Sequence, residues 1–259
     1  MNSQPKVAIL RTDGTNCDEE LAMAFRMAGG EPEMVHVNEL LSDKKALEDY
    51  QMLALPGGFS YGDDVLSGKV LANELINRLS DQIYNFIEDD KLVLGICNGF
   101  QVLVRAGLLP WQMGPAEDVS LVYNDSGSFE CRWVRLKVTE SKCVFTRGLA
   151  GEVFDMPVAH GEGKLVVEDE AVGERLAEEE LVVVQYADDK GKITGKYPDN
   201  PNGSYAAIAG ICNTSGRIFG LMPHPERNTL RHHHPDWQRP GAKLTNCLRF
   251  FENAVGYFK

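Results

Sequence analysis

Long apolar runs, an excess of basic residues and paired cysteines are all missing from this sequence. No apolar run approaches the ~20 residues that a helix needs to cross a bilayer. Lys and Arg number 26 against 38 Asp and Glu, which gives a net charge of −12. This balance argues against nucleic-acid binding, which needs a basic surface. The first residues lack the apolar segment of a secretory signal, so we expect a soluble, cytoplasmic protein that contacts neither membrane nor nucleic acid.

The cysteines do not form the pattern of a disulfide framework or a zinc site. None of the six has a C-x-x-C neighbour, and they lie at Cys17, Cys97, Cys131, Cys143, Cys212 and Cys247. A reduced cytosolic setting follows, and it leaves a catalytic thiol usable. The phosphate-binding pattern G-x-x-x-x-G-K-[ST] is absent, and no G-x-G-x-x-G follows the first apolar run. We therefore expect no metal and no cofactor in this chain.

The first part of the sequence, residues 1–107, alternates between short apolar runs and helical patterns. Strands are predicted at 6–11, 33–38, 51–55 and 92–94, and helices at about 17–28, 65–79 and 81–88. Such alternation indicates βαβ units and a parallel sheet that helices cover on both faces. The chain has 259 residues, 43% of them hydrophobic, which is enough for one large α/β domain. Ligands bind such sheets beyond the carboxyl ends of the strands.

The pattern changes after Trp111. Strand-like runs then follow one another without a long helix between them, at 119–124, 129–139, 153–158, 164–168, 181–187, 205–212 and 217–221. We expect an antiparallel strand layer in this C-terminal half. A charged stretch at 173–181 is predicted to be a solvated helix or turn, and a last amphipathic helix runs from about Ala242 to Phe258. Because no repeat or low-complexity linker interrupts the chain, residues 1–259 are expected to form a single domain.

The segment from Lys91 to Gly107 carries the strongest chemical signal. An apolar strand, a tight turn and a helical pattern follow one another there, with Cys97 on the turn. Glycines stand two positions before and two after the cysteine, at Gly95 and Gly99, as in a nucleophile elbow. Such a turn leaves no room for a Cβ and places the thiol at a helix N-terminus, where unpaired N–H groups favour the thiolate. An inert, buried cysteine is the alternative.

A thiolate that attacks an amide needs a histidine partner, and that histidine needs a group that fixes its tautomer. His224 and Glu226 meet this need because they flank Pro225, which restrains the backbone to an extended course. Residues two apart in an extended segment project to the same face. The carboxylate can then reach the imidazole nitrogen that does not face Cys97. Taken alone, His224 also fits a surface histidine in a proline-rich turn.

The loop that follows the predicted strand at 51–55 can supply an oxyanion hole. A tetrahedral intermediate needs two hydrogen-bond donors, and the backbone N–H groups of a glycine turn serve this purpose. We assign the first donor to the amide of Gly58 or Phe59 and the second to the amide of Asn98. An ordinary turn is the alternative, since P-G-G sequences are common in loops.

Together these motifs resemble the class I, or triad, glutamine amidotransferases. The resemblance rests on GICNGFQ (95–101), preceded by PGG (56–58) and followed by HPE (224–226). The order Cys, His, Glu also differs from that of the α/β-hydrolases, where the acid precedes the histidine. Longer matches, which extend the resemblance over nearly the whole chain, are similar to one branch of the family, the glutaminase subunits of phosphoribosylformylglycinamidine synthase: GGFSYGDDVLSGK (57–69), AHGEGK (159–164) and GLMPHPER (220–227).

The resemblance implies a flavodoxin-like fold and a defined reaction. Glutamine is hydrolysed to glutamate and ammonia through a glutamyl thioester on Cys97. His224 acts as general base and then as general acid, and Glu226 orients it. These three roles are expectations that the family motif carries over to this sequence.

The family motif also implies substrate contacts and partners. Gln101 lies in the glutamine pocket, and the segment His160-Gly161-Glu162 contacts the amino-acid end of the substrate. A loop histidine with its hydrogen bonds satisfied is the alternative for His160. Ammonia passes through a channel to a separate ATP-dependent synthetase subunit, often with a small third subunit in the complex. There it converts formylglycinamide ribonucleotide to the amidine in purine biosynthesis. ATP and Mg²⁺ are expected on that synthetase subunit, in accord with the missing ATP motif in this chain.

Two other functions stay open at this point. One is a cysteine hydrolase or peptidase on a related fold, which often takes its acid from elsewhere in the chain. The other is a non-catalytic regulatory domain, against which the complete set of triad residues argues. The segment 228–241, with Arg231 and three adjacent histidines, is not explained by the chemistry. We expect an exposed loop there, with contact to a partner as the functional alternative.

Overall fold

Strands and α-helices alternate through the first half of the computed structural model, which describes residues 4–111, 118–241 and 244–259. Its strands are β1 (Lys6–Arg11), β2 (Glu31–His36), β3 (Met52–Leu55), β4 (Leu92–Ile96), β5 (Val119–Val122), β6 (Glu130–Val138), β7 (Val153–His160), β8 (Lys164–Val167), β9 (Val182–Ala187), β10 (Ile208–Cys212) and β11 (Ile218–Leu221). Its α-helices are α1 (Asp18–Met27), α2 (Val37–Leu41), α3 (Lys69–Arg78), α4 (Ser80–Glu88), α5 (Asn98–Arg105), α6 (Glu170–Glu178) and α7 (Leu248–Gly256). Among the helices of these ranges, none has the length and apolar character that crossing a membrane requires.

Nine of the described strands form one sheet in the order β2-β1-β3-β4-β11-β10-β9-β6-β7. The strands from β2 to β11 in this order are parallel. From β11 to β7 every neighbouring pair is antiparallel, and β5 pairs with β8 in a separate two-stranded sheet. The predicted α/β fold with a flavodoxin-like parallel sheet is confirmed, and most of the antiparallel strands extend that same sheet.

The direction of the crossovers puts helices on both faces of the sheet. The connection from β1 to β2 runs towards one edge of the sheet, and the connection from β3 to β4 runs towards the opposite edge. Because both connections are right-handed, α1 and α3 lie on opposite faces. On one face α1 packs against α7, where the rings of Phe25 and Phe251 meet edge to face at 5.1 Å. On the other face α5 packs against β4 and α3. Every residue of β3, β4, β10 and β11 is buried, as expected of strands covered on both sides.

Element boundaries differ from the predicted ones where local capping decides. The strand predicted to reach residue 38 ends earlier, because the side chains of His36 and Glu39 form a capping box that starts α2. The helix predicted from residue 65 begins at Lys69, since Gly68 before it is left-handed with φ 76°. The predicted start of the last helix, Ala242, lies outside the described residues.

The histidine-rich segment after β11 is only partly the exposed loop that its sequence predicts. Arg231 and His232 are exposed, but His234 is buried. The ring of His234 packs on that of Trp133 with centroids 4.8 Å apart, and its Nε2 lies 3.7 Å from a carboxylate oxygen of Asp155. Contacts with an aromatic ring and a carboxylate on β6 and β7 therefore account for the burial of His234.

Candidate active site

Cys97 lies on the turn between β4 and α5, in a backbone conformation that few residues other than glycine adopt. Its φ is 51° and its ψ −104°, and its amide donates to the carbonyl of Leu221 at 2.8 Å. A Cβ on Gly99 would overlap the carbonyl of Leu55, and one on Gly95 would lie 2.6 Å from the carbonyl oxygen of Gly99. Both glycines are therefore required by the close approach of backbone. The strained turn holds a thiol-bearing residue that is 5% exposed at the start of α5.

His224 and Glu226 form a buried pair beyond the end of β11. The ring Nδ1 of His224 lies 2.6 Å from Oε1 of Glu226, and the two residues are 1% and 2% exposed. Burial acts to lower the pKa of His224. The negative charge of Glu226 and the contacts of the imidazole with the thiols of Cys17 and Cys97 outweigh burial and hold that pKa well above its usual value. Such a pair stabilises the imidazolium that forms once the ring has taken the proton of a neighbouring thiol.

The sheet brings the thiol and the buried pair to one edge. β4 and β11 are parallel neighbours, with Ile96 opposite Leu221, so Cys97 and His224 both follow at the carboxyl end. Gly57, which follows β3 at the same edge, lies beside both of them. A methyl group on Gly57 would be 2.7 Å from Cε1 of His224 and 3.5 Å from Cβ of Cys97. The structure thus gathers the three predicted triad residues from distant parts of the chain.

The two candidates for the first oxyanion donor differ in the structure. The amide of Phe59 donates to the carbonyl of Gly14 at 2.9 Å and is therefore engaged. The amide of Gly58 has no acceptor among the described residues. The amide of Asn98 is at the first position of α5, where N–H groups have no acceptor within the helix. Gly58 and Asn98 are the available donors, and Phe59 instead forms part of the pocket wall.

A cavity of about 290 Å³ opens beside Cys97. Its wall contains Gly58, Phe59, Asp63, Ser67, Cys97, Gln101, Tyr123, Phe129, Ala159, His160, Gly161 and Glu162. The predicted substrate contacts Gln101, His160 and Gly161 all lie in this wall. Gly161 leaves open space, since a Cβ there would meet only the ring of Phe129 at 3.9 Å.

The side chain of Gln101 and one ring nitrogen of His160 are engaged with neighbouring residues, while Nε2 of His160 is buried without a hydrogen-bond partner among the described residues. Nε2 of Gln101 donates to the carbonyl of Glu162 at 2.7 Å. Nδ1 of His160 lies 3.1 Å from Oδ1 of Asn124. Burial, and in second place the charge of His224, lowers the pKa of His160 to about 4, so that its ring is neutral near pH 7. These side chains build the shape of the pocket and bring no charge to it.

Known proteins match this sequence along nearly the whole chain. Residues 4–258 match the family described as the CobB/CobQ-like glutamine amidotransferase domain. Phosphoribosylformylglycinamidine synthase subunit PurQ of Dehalococcoides mccartyi is 49% identical over 98% of this chain and 97% of its own length. The PurQ subunit of Methanococcus maripaludis is 45% identical, again over 98% of this chain and 97% of its own. This chain belongs to the PurQ family of glutamine amidotransferases.

A solved structure extends the PurQ likeness to three dimensions. The structure of PurLQS from Thermotoga maritima contains a chain that superposes on this one with a TM-score of 0.75. The two are 33% identical, and the match covers 99% of this chain and 100% of that chain. The antiparallel half of the sheet is therefore shared along with the parallel half.

In this PurQ-family chain the side chain of Asn98 fixes the loop after β3, a role that its sequence position does not reveal. Its Oδ1 accepts from the amide of Ser60 at 3.2 Å, and its Nδ2 donates to Asp63 at 3.3 Å and to Gln101 at 3.1 Å. Burial raises the pKa of Asp63, while its hydrogen bonds, that from Ser67 first, oppose the rise. The elbow helix and the oxyanion loop are thus held together by one amide group.

Cys17 is a second buried thiol at the triad that sequence reasoning missed. Its Sγ accepts from Nη2 of Arg227 at 3.0 Å, and its thiol donates to Oδ1 of Asn16 at 3.0 Å. This Sγ, a ring nitrogen of His224 and a carboxylate oxygen of Glu226 lie within 4.8 Å of one another. Burial raises the pKa of Cys17 against the influence of the nearby His224 and Arg227. The turn after β1, which carries Cys17, lies at the same edge of the sheet as the elbow. That shared edge is the signal that could have pointed to Cys17.

Proposed function

We propose that this chain is the glutaminase subunit of a phosphoribosylformylglycinamidine synthase. It hydrolyses glutamine, and an ATP-dependent synthetase subunit uses the ammonia to convert formylglycinamide ribonucleotide to formylglycinamidine ribonucleotide in purine biosynthesis. The observation that carries the proposal is the buried His224–Glu226 pair beside the Cys97 elbow in a PurQ-family chain. The relatives are named as subunits of that synthase, and the similar solved chain comes from PurLQS. The name of the relatives supports a partner subunit, and the name PurLQS supports a complex with more than one further subunit. We take these partners to be the synthetase subunit and a small third subunit.

In the first half-reaction the thiolate of Cys97 attacks the carboxamide carbon of glutamine. Negative charge moves to the carboxamide oxygen, where the amides of Gly58 and Asn98 stabilise it. Protonated His224 gives its proton to the nitrogen, the C–N bond breaks, and ammonia leaves a glutamyl thioester on the sulfur. Glu226 holds the ring through Nδ1, so that Nε2 is the nitrogen that transfers the proton.

In the second half-reaction water attacks the thioester. His224 accepts a proton from this water, the C–S bond breaks, and glutamate leaves while the Cys97 thiolate is restored. The two steps add up to glutamine and water giving glutamate and ammonia. In this proposal the side chains of this subunit carry every step, and ATP and Mg²⁺ act on the synthetase subunit.

Exposed aromatic rings at the mouth of the pocket support docking of the synthetase there. Phe59, Tyr123 and Phe129 are 45%, 67% and 52% exposed, and the rings of Phe59 and Phe129 lie 6.4 Å apart. Contiguous exposed apolar groups of this kind mark interaction sites. A partner seated on these three rings, the aromatic rim, would receive ammonia at the point where it is formed.

The proposal treats residues 1–259 as one domain and places it in the cytoplasm. The single sheet that joins both halves of the described chain supports one domain. A reducing compartment keeps the thiol of Cys97 available for attack.

The decisive experiment separates ammonia production from ammonia use. Cys97→Ala is expected to abolish glutamine hydrolysis, while the complex rebuilt with its synthetase subunit still uses added ammonium. Cys131→Ala, which changes an exposed cysteine, is the matched control. Hydrolysis that survives Cys97→Ala would refute the proposal, and loss of the ammonium-dependent reaction would refute the division of labour. Peptide hydrolysis that survives Glu226→Ala would instead indicate a cysteine peptidase.

A further inference from the structure

The wall of the cavity beside Cys97 contains two carboxylates, and only one of them has a cationic partner among the described residues. Oε2 of Glu162 lies 3.4 Å from Nη2 of Arg105, and both side chains are largely buried. Asp63 has no ion pair within the part of the chain that the structure describes. We propose that Asp63 binds the α-ammonium group of glutamine and so selects the free amino acid. This role depends on the glutaminase function proposed above.

The hydrogen bonds of Asp63 leave its negative charge uncancelled. Its Oδ1 accepts from Nδ2 of Asn98 at 3.3 Å, and its Oδ2 accepts from Oγ of Ser67 at 3.0 Å. Both donors are neutral, and an ionised carboxylate has about four lone-pair sites, so further donors can still bind. Burial raises the pKa of Asp63, and the charge of Glu162 adds to the rise. A bound ammonium group would act against both effects, because an opposite charge favours the ionised carboxylate.

Asp63 also lies within reach of a substrate that is bound at the nucleophile. Its partner Asn98 directly follows Cys97, so one side chain separates the carboxylate from the elbow. Asp63 and Cys97 line the same cavity of about 290 Å³. Gln101 carries no charge, and the ring of His160 is neutral near pH 7. With the carboxamide of glutamine at Cys97, the unpaired charge in the wall is therefore left for the amino end of the molecule.

The backbone that presents Asp63 is held in a costly conformation. Tyr61, Gly62 and Asp63 have φ values of 55°, 70° and 54°, all in the left-handed region. The amide of Tyr61 donates to the carbonyl of Asp13 at 2.8 Å, and its phenol donates to Glu74 at 2.5 Å. Strain of this kind persists where surrounding contacts impose it, and it collects at binding sites. The loop thus directs Asp63 into the cavity at a cost that charge recognition explains.

Comparison of two substrates tests the role of Asp63. Asp63→Asn removes the charge and keeps the shape, and asparagine tolerates a left-handed backbone. In the complex rebuilt with the synthetase subunit, KM for L-glutamine should rise about 10- to 100-fold, as expected for a lost hydrogen bond between charged groups. kcat should not change, because a contact distant from the reacting carbon contributes equally to substrate and transition state. Glutaramate, which is glutamine without its α-amino group, should give the same kcat/KM in variant and wild type.

The glutaramate measurement separates recognition from a structural role. An equal loss with both substrates would show that Asp63 only holds the loop, and would overturn the proposal. An unchanged KM for glutamine in Asp63→Asn would overturn it as well. Asp64→Asn is the matched control, because Asp64 is exposed and outside the cavity wall. Its kinetics with both substrates should equal those of the wild type.

Two further measurements keep the test decisive. Asp63→Gly repeats it if the asparagine variant does not fold, since glycine accepts the left-handed backbone. If glutaramate is hydrolysed too slowly, calorimetry on the Cys97→Ala complex gives the binding constants of both compounds with and without Asp63→Asn. A wild-type complex that hydrolyses no glutamine would refute the glutaminase function itself. Normal wild-type hydrolysis with no selective effect of Asp63→Asn would refute the role of Asp63 alone.

Discussion

Gly57 and His224 approach so closely that a methyl group on the glycine would lie 2.7 Å from Cε1 of the imidazole. The glycine follows β3 and the histidine follows β11, two strands that are separated in the sheet only by β4. The same methyl group would lie 3.0 Å from Sγ of Cys17. The absence of a side chain at position 57 therefore sets where the imidazole can lie relative to both thiols.

Gly57→Ala should inactivate the enzyme without unfolding it. The backbone of Gly57 is outside the left-handed region and accepts alanine, so the methyl group has to displace the ring of His224. A displacement of about 1 Å can cost about 100-fold in rate, and we expect that loss in kcat for glutamine hydrolysis. Overpacking should cost only about 1–3 kcal/mol of stability by urea unfolding. Gly195→Ala is the control, since a Cβ there meets no atom within 4 Å; equal activity of the two variants would contradict the placement of His224.

Glu226→Gln should change the pH dependence of stability. Because the pKa of His224 is raised in the folded chain, its proton stabilises the fold fully below the ordinary value near 6.5, and this contribution is lost as pH rises through the raised pKa. Removing the carboxylate removes most of that contribution. We expect the variant to lose about 3 kcal/mol near pH 6 and progressively less at alkaline pH. Urea unfolding across this range measures the difference, and a loss that is constant with pH would argue against a charged pair.

The contribution of His160 to stability should depend on pH in the opposite direction. Its pKa of about 4 lies below the ordinary value, so the unfolded chain takes up a proton that the folded chain excludes. The stability from the neutral ring is full above about pH 6.5 and is lost as pH falls towards about 4, by roughly 3 kcal/mol in total. His160→Gln should lose that much less stability than the wild type over the same range. Identical acid sensitivity in urea unfolding would show that the ring is charged in the folded state.

The sequence could predict the parallel half of the fold because its signal is local. Each strand of that half is an apolar run followed by a helical pattern, as at β4 and α5, and parallel pairing then follows from the connection. In the antiparallel half the sequence predicts the hairpin of β10 and β11 around the turn at 213–216, and the structure confirms it. That this hairpin continues the parallel sheet depends on contacts distant in sequence, such as Phe219 opposite Leu94. Runs of strands alone do not say which sheet they join.

The residues of the candidate site also fall into two groups, those with a local sequence signal and those without one. Cys97, His224 and Glu226 could be found because glycine spacing and a proline between histidine and acid report local geometry. Cys17 could not, since its role depends on which strand ends share an edge. The engagement of the Phe59 amide could not either, because its acceptor Gly14 belongs to the turn after β1. Motifs report the groups that react, and the packing of distant loops decides which neighbours those groups have.

The aromatic rim leads to a prediction about the complex. Phe129→Ser removes an exposed ring at the mouth of the pocket without touching the triad. If the synthetase buries this ring, the loss should cost about 2 kcal/mol of binding, which is roughly a 30-fold rise in Kd. Ile193→Ser is the matched control, because Ile193 is an exposed apolar residue outside the pocket wall.

The weaker binding of Phe129→Ser to the synthetase subunit should also lower the rate of synthesis by the rebuilt complex. At limiting subunit concentration, Phe129→Ser should lower glutamine-dependent synthesis and leave ammonium-dependent synthesis unchanged, because only the first requires docking at the pocket mouth. Saturating the variant with the synthetase subunit should restore most of the glutamine-dependent rate, since the triad is intact. Equal Kd values for Phe129→Ser and Ile193→Ser would place the docking surface elsewhere. A glutamine-dependent rate that stays low at saturation would mean that the ring acts on the glutamine pocket itself and not on the partner.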